Sequence, residues 1–191
     1  MEEDAIRPLS SEPTLAPVDS GSVALARGDV VMRAFEEHAG KLTSFAFGMT
    51  RDRDVADDLV QETFLRLVKE LAADRPPENI AAWLFRVCAN LATSRGRRVT
   101  VARRFLSSVR SLPDEAPADV ETLRRETNAS LYAGLATVPA DARAALLMAA
   151  QGFSGREIAE AIGRSEMATR TMMFRAREKL RVYLAKDEVR S

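Results

Sequence analysis

The stretch from Ser154 to Arg181, SGREIAEAIGRSEMATRTMMFRAREKLR, constrains this chain most, because it carries start, stop and turn signals for two successive helices. Ser154 followed by Glu157 is a capping box: the serine hydroxyl accepts from the amide three residues on, and the glutamate reaches back. Ile158, Ala159 and Ile162 give the first helix an apolar face, and Gly163 supplies the small residue a tight turn needs. Ser165 is placed to cap the second helix. There Thr169, Met173, Ala176 and Leu180 recur at i, i+4, i+7 and i+11, one buried stripe. Arg170, Arg177 and Arg181 line one flank of that stripe, and Thr171, Phe174 and Arg175 lie further round on the exposed side. A solvated amphipathic helix would account for the charge alone. It does not account for capping box, glycine turn and cationic second helix together, which predict a helix-turn-helix entering a DNA major groove.

Composition narrows the alternatives. At 191 residues and 46% hydrophobic content the chain suits one or two small domains with real cores. Aromatics make up only 6%, and Ala, Leu, Arg and Glu dominate, which favours helices over sheets. The formal net charge is zero, so the total points to no nucleic-acid partner; the distribution does. Arg95 to Arg110 holds arginines and no acid, whereas Asp52 to Glu62 holds acids and only Arg53, so two kinds of partner surface are expected. The single Cys88 rules out an internal disulfide and fits a reducing cytoplasm. No apolar run approaches the ~20 residues needed to span a bilayer, and the acidic N-terminus lacks a signal-peptide core. A soluble cytoplasmic protein without membrane insertion is expected.

The chain divides into four parts: a disordered tail over 1–27, a helical domain over 28–106, a flexible linker over 107–126 and a helix-turn-helix domain over 127–186. The tail carries Pro8, Pro13 and Pro17 among polar residues, and the linker carries Pro113, Pro117 and several acids. In the first domain Phe35, Leu42, Phe45 and Met49 predict one long helix. Asp54 is expected to cap a second, with Val60, Phe64, Leu67 and Leu71 as its core stripe. Pro76 and Pro77 break the chain, and Asn79 caps a third helix from about Trp83 to Thr93, with Ile80, Leu84, Val87 and Leu91 buried and Trp83 and Cys88 widening the face. In the last domain Pro139 falls in the first turn of a buried helix over Ala140 to Ala150, ended by Gln151-Gly152. The fold class is all-α.

Catalytic chemistry is missing from the pattern. The one histidine, His38, reads as a surface residue, and Cys88 reads as core. No Cys, His or carboxylate spacing resembles a zinc or calcium site, and no glycine-rich phosphate loop appears, so neither enzyme activity nor a cofactor is expected. Asp52, Asp54, Asp57, Asp58 and Glu62 are spaced over most of a helix, which suits no metal cluster. Dipole complementation explains Asp54 and Asp57 but not Asp58, Gln61 and Glu62, which continue past the first turn as a polar patch for a partner. Arg95, Arg97, Arg98, Arg103 and Arg104, following the third helix, exceed what a helix C-terminus needs and suit phosphate contacts. The proline-broken loop from Asp74 to Asn79 has the polarity to receive an unpaired base.

DRDVADDLVQETFLRLVKEL (Asp52–Leu71), AAWLFRVCANLATSRGRR (Ala81–Arg98) and the C-terminal helix-turn-helix, in that order and separation, resemble an extracytoplasmic-function (ECF) sigma factor of bacterial RNA polymerase. The resemblance covers roughly Val30 to Leu184. It implies a region-two domain that grips polymerase and melts the minus-10 element, and a region-four domain that reads the minus-35 element. By position, it places Asp58, Gln61 and Glu62 on core RNA polymerase. Arg75, Asn79, Asn90, Arg95, Arg97 and Arg98 fall near the melted promoter DNA, and Arg164, Arg170, Thr171, Phe174, Arg175 and Arg177 at the upstream element. It implies an anti-sigma partner as well. Relatives commonly carry a cation where this chain has Met172, which leaves one foothold for a decoy that binds an anti-sigma protein without directing transcription. A dimeric helix-turn-helix regulator is the other alternative, but the N-terminal block shows no βα alternation for a receiver domain.

Overall fold

The computed structural model describes residues 20–105 and 130–188, with side chains described over 25–97 and 130–187, and its regular structure there is entirely helical. Three long helices come first: α1 (Ser20–Thr50), α2 (Arg53–Ala72) and α3 (Ile80–Phe105). The second block holds α4, described over 130–136, then α5 (Ala140–Ala150), α6 (Gly155–Ile162) and α7 (Glu166–Glu188). Most of the predicted tail and all of the predicted linker lie outside the described residues.

Helices α1 and α2 are joined by only Arg51 and Asp52 and fold back on each other; Phe35 and Phe64, on either side of that turn, meet at 5.1 Å. Leu42, Phe45, Met49, Val60, Phe64, Leu67 and Leu71 are buried, as the heptad-like spacing predicts. Asn79 caps α3 through a hydrogen bond accepted from the Ala82 amide at 2.9 Å.

Several expectations need correction. Helix α1 is under way from Ser20, inside the stretch read as tail, and Arg27 is anchored there by an ion pair with Asp74 at 3.0 Å. Asp52, not Asp54, caps α2: its backbone is extended and its carboxylate accepts from the Val55 amide at 3.0 Å. Helix α3 does not stop near Thr93 but continues to Phe105, so the basic cluster sits on the helix rather than after it. Nothing between Thr93 and Phe105 breaks a helix, since a lone interior glycine such as Gly96 costs only about 1 kcal/mol. The buried face of α3 is Leu84, Phe85, Cys88, Ala89 and Ala92, with Ile80, Val87 and Leu91 only half-buried. That face is rotated because α3 is covered by α1 and α2 and also by α5 and α6. His38 is not a surface residue; only 13% of its side chain is exposed. Pro139 takes the N-cap of α5, one residue earlier than its predicted place in the first turn.

The two helical blocks are packed on one another. Ala144, Ala145, Met148, Ile158 and Met173 of the second block share one continuous core with Leu42, Phe45, Leu84 and Phe85 of the first. Phe153 stacks against Phe85 at 4.8 Å, and Tyr132 meets Phe47 edge-on at 5.3 Å. Gly48 lets α5 approach α1 closely: a Cβ there would sit 2.9 Å from Leu147.

Candidate promoter and polymerase interfaces

In the C-terminal block local sequence sets the geometry. Ser154 Oγ accepts from the Glu157 amide at 3.3 Å, and Glu157 Oε2 accepts in return from the Ser154 amide at 2.8 Å and its hydroxyl at 2.7 Å. These bonds, the backbone one foremost, hold the Glu157 carboxyl below the usual glutamate range. Gly163 ends α6 in the left-handed region at φ 67°, where a side chain would be strained. Ser165 accepts from the Ala168 amide at 3.3 Å and starts α7. Thr169, Met173 and Ala176 are buried and Leu180 half-buried, so the predicted stripe fixes the rotation of α7.

That rotation turns Arg170, Thr171, Phe174, Arg175 and Arg177 outward, all of them exposed. Arg175 and Arg177 have no ion pair among the described residues, whereas Arg170 lies 3.6 Å from Glu166 and Arg164 is 2.8 Å from Asp141. Met172 points inward. It is half-buried and packs against Val138, Ala142 and Ala176. Its neutrality therefore removes no cation from the exposed face, and the decoy reading loses its foothold.

In the N-terminal block Asp58, Gln61 and Glu62 of α2 line a cleft of about 640 Å³ with Leu65, Arg66, Asn90 and Arg95. Asp58 pairs with Arg95 at 3.3 Å, and Glu62 with Arg66 at 2.8 Å, which keeps the Glu62 carboxyl below its ordinary range. The predicted acidic patch and two members of the predicted minus-10 set, Asn90 and Arg95, thus share one groove. The predicted minus-10 set is itself split. Arg75 and Asn79 stand before α3, while Asn90 is 11 residues further along, about 16 Å at 1.5 Å per residue. Arg75 pairs with Glu70 at 3.2 Å, and Arg97 is exposed. The Arg98 side chain lies outside the described residues, as do those of Arg103 and Arg104.

Residues 34–101 match the family model for Sigma-70 region 2, and residues 129–180 that for Sigma-70, region 4. The ECF RNA polymerase sigma factor EcfG of Rhodopseudomonas palustris is 36% identical over 149 residues, covering 76% of this chain and 80% of that protein. The chain belongs to the ECF RNA polymerase sigma factors. The sigma factor SigE of Mycolicibacterium smegmatis is 29% identical over 197 residues, 97% of this chain and 73% of the relative. The sigma factor RpoE of Bartonella quintana, solved with the anti-sigma factor NepR, superposes with a TM-score of 0.62 at 25% identity, covering 83% of this chain and 96% of that one. This sigma factor directs transcription, and proteins of its kind are initiation factors rather than catalysts. No helix among the described residues is long and apolar enough to cross a membrane.

Three features of this sigma factor were missed in the reading of the residues. Asn79 Nδ2 donates to Glu157 Oε1 at 3.0 Å, tying the region-two loop to the capping glutamate of region four. A small cleft of about 270 Å³, lined by Asn79, Trp83, Arg86, Glu157 and Glu160, lies at that junction. Arg143 of α5 donates to the Met49 carbonyl at 2.8 Å and to Leu135 and Ala136 carbonyls at 2.9 and 3.1 Å, so it caps region-two backbone from region four. Burial, then the charge of Arg51, pulls its guanidinium below the ordinary value. The one signal that marks Arg143 in advance is a lone cation inside the apolar run ADARAALLMAA.

Proposed function

We propose that this sigma factor docks core RNA polymerase at the α2–α3 groove through Asp58, Gln61 and Glu62. Arg75, Asn79, Asn90, Arg95, Arg97 and Arg98 engage the minus-10 element, and Arg164, Arg170, Thr171, Phe174, Arg175 and Arg177 read the minus-35 element. The outward face of α7 carries this reading: exposed arginines, two of them unpaired among the described residues, flank the side turned away from a stripe that fixes the helix's rotation. Cations free of carboxylate partners are ready to neutralise phosphates, and phosphate contacts position a helix whose neighbouring side chains read bases. The working units are a region-two domain over 28–106, extended by the start of α1, and a region-four domain over 127–186. The protein acts in the cytoplasm, needs no cofactor and is held in check by an anti-sigma protein, as the Bartonella relative is seen bound to one.

In vitro transcription with core polymerase tests the assignment. Promoter-specific transcripts that depend on this chain are the expected result. Core polymerase that gains no promoter preference from it would overturn the reading.

A further inference from the structure

The exposed face of α7 is not uniformly charged. Met167 and Phe174 are 69% and 64% exposed, among the most solvent-exposed large apolar side chains described, and Thr171 lies between them. Their spacing is i, i+4 and i+7, which at 3.6 residues per turn confines them to roughly 60° of the helix surface. That ridge is diametrically opposite the buried Thr169, Met173 and Ala176. Arg170 and Arg177 fall on one flank of it, and Arg175 on the other. The Thr171 hydroxyl donates to the Met167 carbonyl at 3.0 Å, so its proton is used within the helix. The centre of the ridge therefore offers a thioether, a methyl and a phenyl ring, and no hydrogen-bond donor to spare. Among the described residues no side chain covers it.

An apolar ridge between two cationic rails suits one kind of surface. The major groove is about 12 Å wide, admits a single helix and has phosphates along both edges. Its floor carries donors, acceptors and one apolar group, the C5-methyl of thymine. We infer that Met167, Thr171 and Phe174 read thymine methyl groups in the upstream element, while the flanking arginines hold the phosphates. The inference rests on the reading of α7 as the minus-35 helix and names what that helix recognises; Met167 joins the reading set.

Deoxyuridine differs from thymidine only by the missing methyl, which makes it the probe. Duplexes selected from a randomised pool on the full chain are resynthesised with deoxyuridine in place of every thymidine. The selected sequences are expected to contain thymine, and the uracil duplexes to bind about fourfold more weakly for each methyl that had been buried. In the double variant Met167→Ala with Phe174→Ala, the thymine and uracil duplexes should bind equally. Both side chains are exposed, so an unchanged thermal melt shows that the variant is folded. Selected sequences without thymine, equal binding of both duplexes to the wild type, or discrimination that survives in the variant would each overturn the inference. An apolar ridge reserved for a protein partner gives the second of these outcomes. Transcription from a promoter carrying the selected duplex separates the two levels of the argument. Initiation with no uracil effect removes methyl reading alone, and selection of no duplex together with no initiation removes the minus-35 assignment as well.

Discussion

Both regions of the molecule carry residues proposed to meet promoter DNA, but on α7 most of the arginines among them are free, whereas in region two most of the described ones are engaged. On α7, Arg175 and Arg177 stand unpaired among the described residues, and Arg170 has only a loose partner at 3.6 Å. In region two, Arg75 is paired with Glu70, Arg95 with Asp58, and Asn79 with Glu157. The difference is one of context rather than composition. Exposed ion pairs are worth about 0–1 kcal/mol, so DNA phosphates reaching the proposed contacts would displace Glu70 and Asp58 at little cost. Asn79 is different, because its partner arrives with a whole domain whose docking also includes Phe153 on Phe85 and Arg143 on the Met49 carbonyl.

Distance makes the engagement consequential. Elements centred near minus-10 and minus-35 are about 25 base pairs apart, or about 85 Å at 3.4 Å per pair. A compact chain of this length has a radius of gyration of about 16 Å. The packed arrangement cannot hold both elements, so the contact proposed for Asn79 requires regions two and four to part first. Region four needs no such step, because the face proposed to read DNA is already exposed.

The largest effect is expected at the groove. Glu62→Lys places a cation where an acidic patch is proposed to meet polymerase, and like charges facing each other at an interface defeat assembly. The variant should fold and bind upstream duplex as the wild type does, yet give no transcripts with core polymerase; full activity would move the polymerase contact elsewhere. Next comes the docking interface. Leu147→Glu puts a charge against Gly48, where it is desolvated unless the domains separate. The radius of gyration by solution scattering should rise, and affinity for a single-stranded minus-10 oligonucleotide should increase on the order of tenfold, as expected when about 1.4 kcal/mol of closure is lost. An unchanged radius and affinity would erase the contrast drawn here between the two regions.

A smaller effect separates the arginines of α7. Arg175→Ala and Arg170→Ala should each reduce the slope of log affinity against log salt by about 0.9 where a phosphate contact is lost. Arg175, with no partner to leave, should lose more affinity than Arg170. Equal and negligible losses would take both out of the interface. The smallest effect follows from Glu157. Its carboxyl is held below the usual range in the folded state, so its contribution is present above the ordinary glutamate pKa and declines as pH falls through the lower folded value. Urea midpoints at neutral and acid pH should differ less in Glu157→Gln than in the wild type. A pH dependence identical in the two would show that the capping carboxylate carries no such linkage.

Cys88 offers a check on the shared core. Burial pushes its thiol up to about 12, offset in part by a hydrogen bond with Thr63. A thiol reagent at neutral pH should therefore leave the native protein unmodified and label it only on unfolding. Fast native labelling would mean that α3 is not covered as described.

What was legible in the residues is what short-range chemistry decides. The Ser154–Glu157 box, the Asn79 and Ser165 caps and the turn at Gly163 each close within three or four residues, so sequence spacing specifies them. The Val60–Leu71 and Thr169–Ala176 stripes were legible because each helix buries a single face. Where acids crowd a helix start, spacing picked the wrong one: Asp54, read as the cap of α2, sits in its first turn, and the extended backbone at Asp52 makes that residue the cap. Where a helix is covered on two sides, as α3 is, the periodic stripe pointed one residue away from the true centre of burial. The sequence by itself determined an all-helical chain, its caps, and a charged face opposite a buried one on α7. Only the tertiary structure decided which charges are free. Pairing of Asn79 with Glu157 or Arg143 with the Met49 carbonyl joins atoms 78 and 94 residues apart, and such contacts exist only once the two blocks have docked.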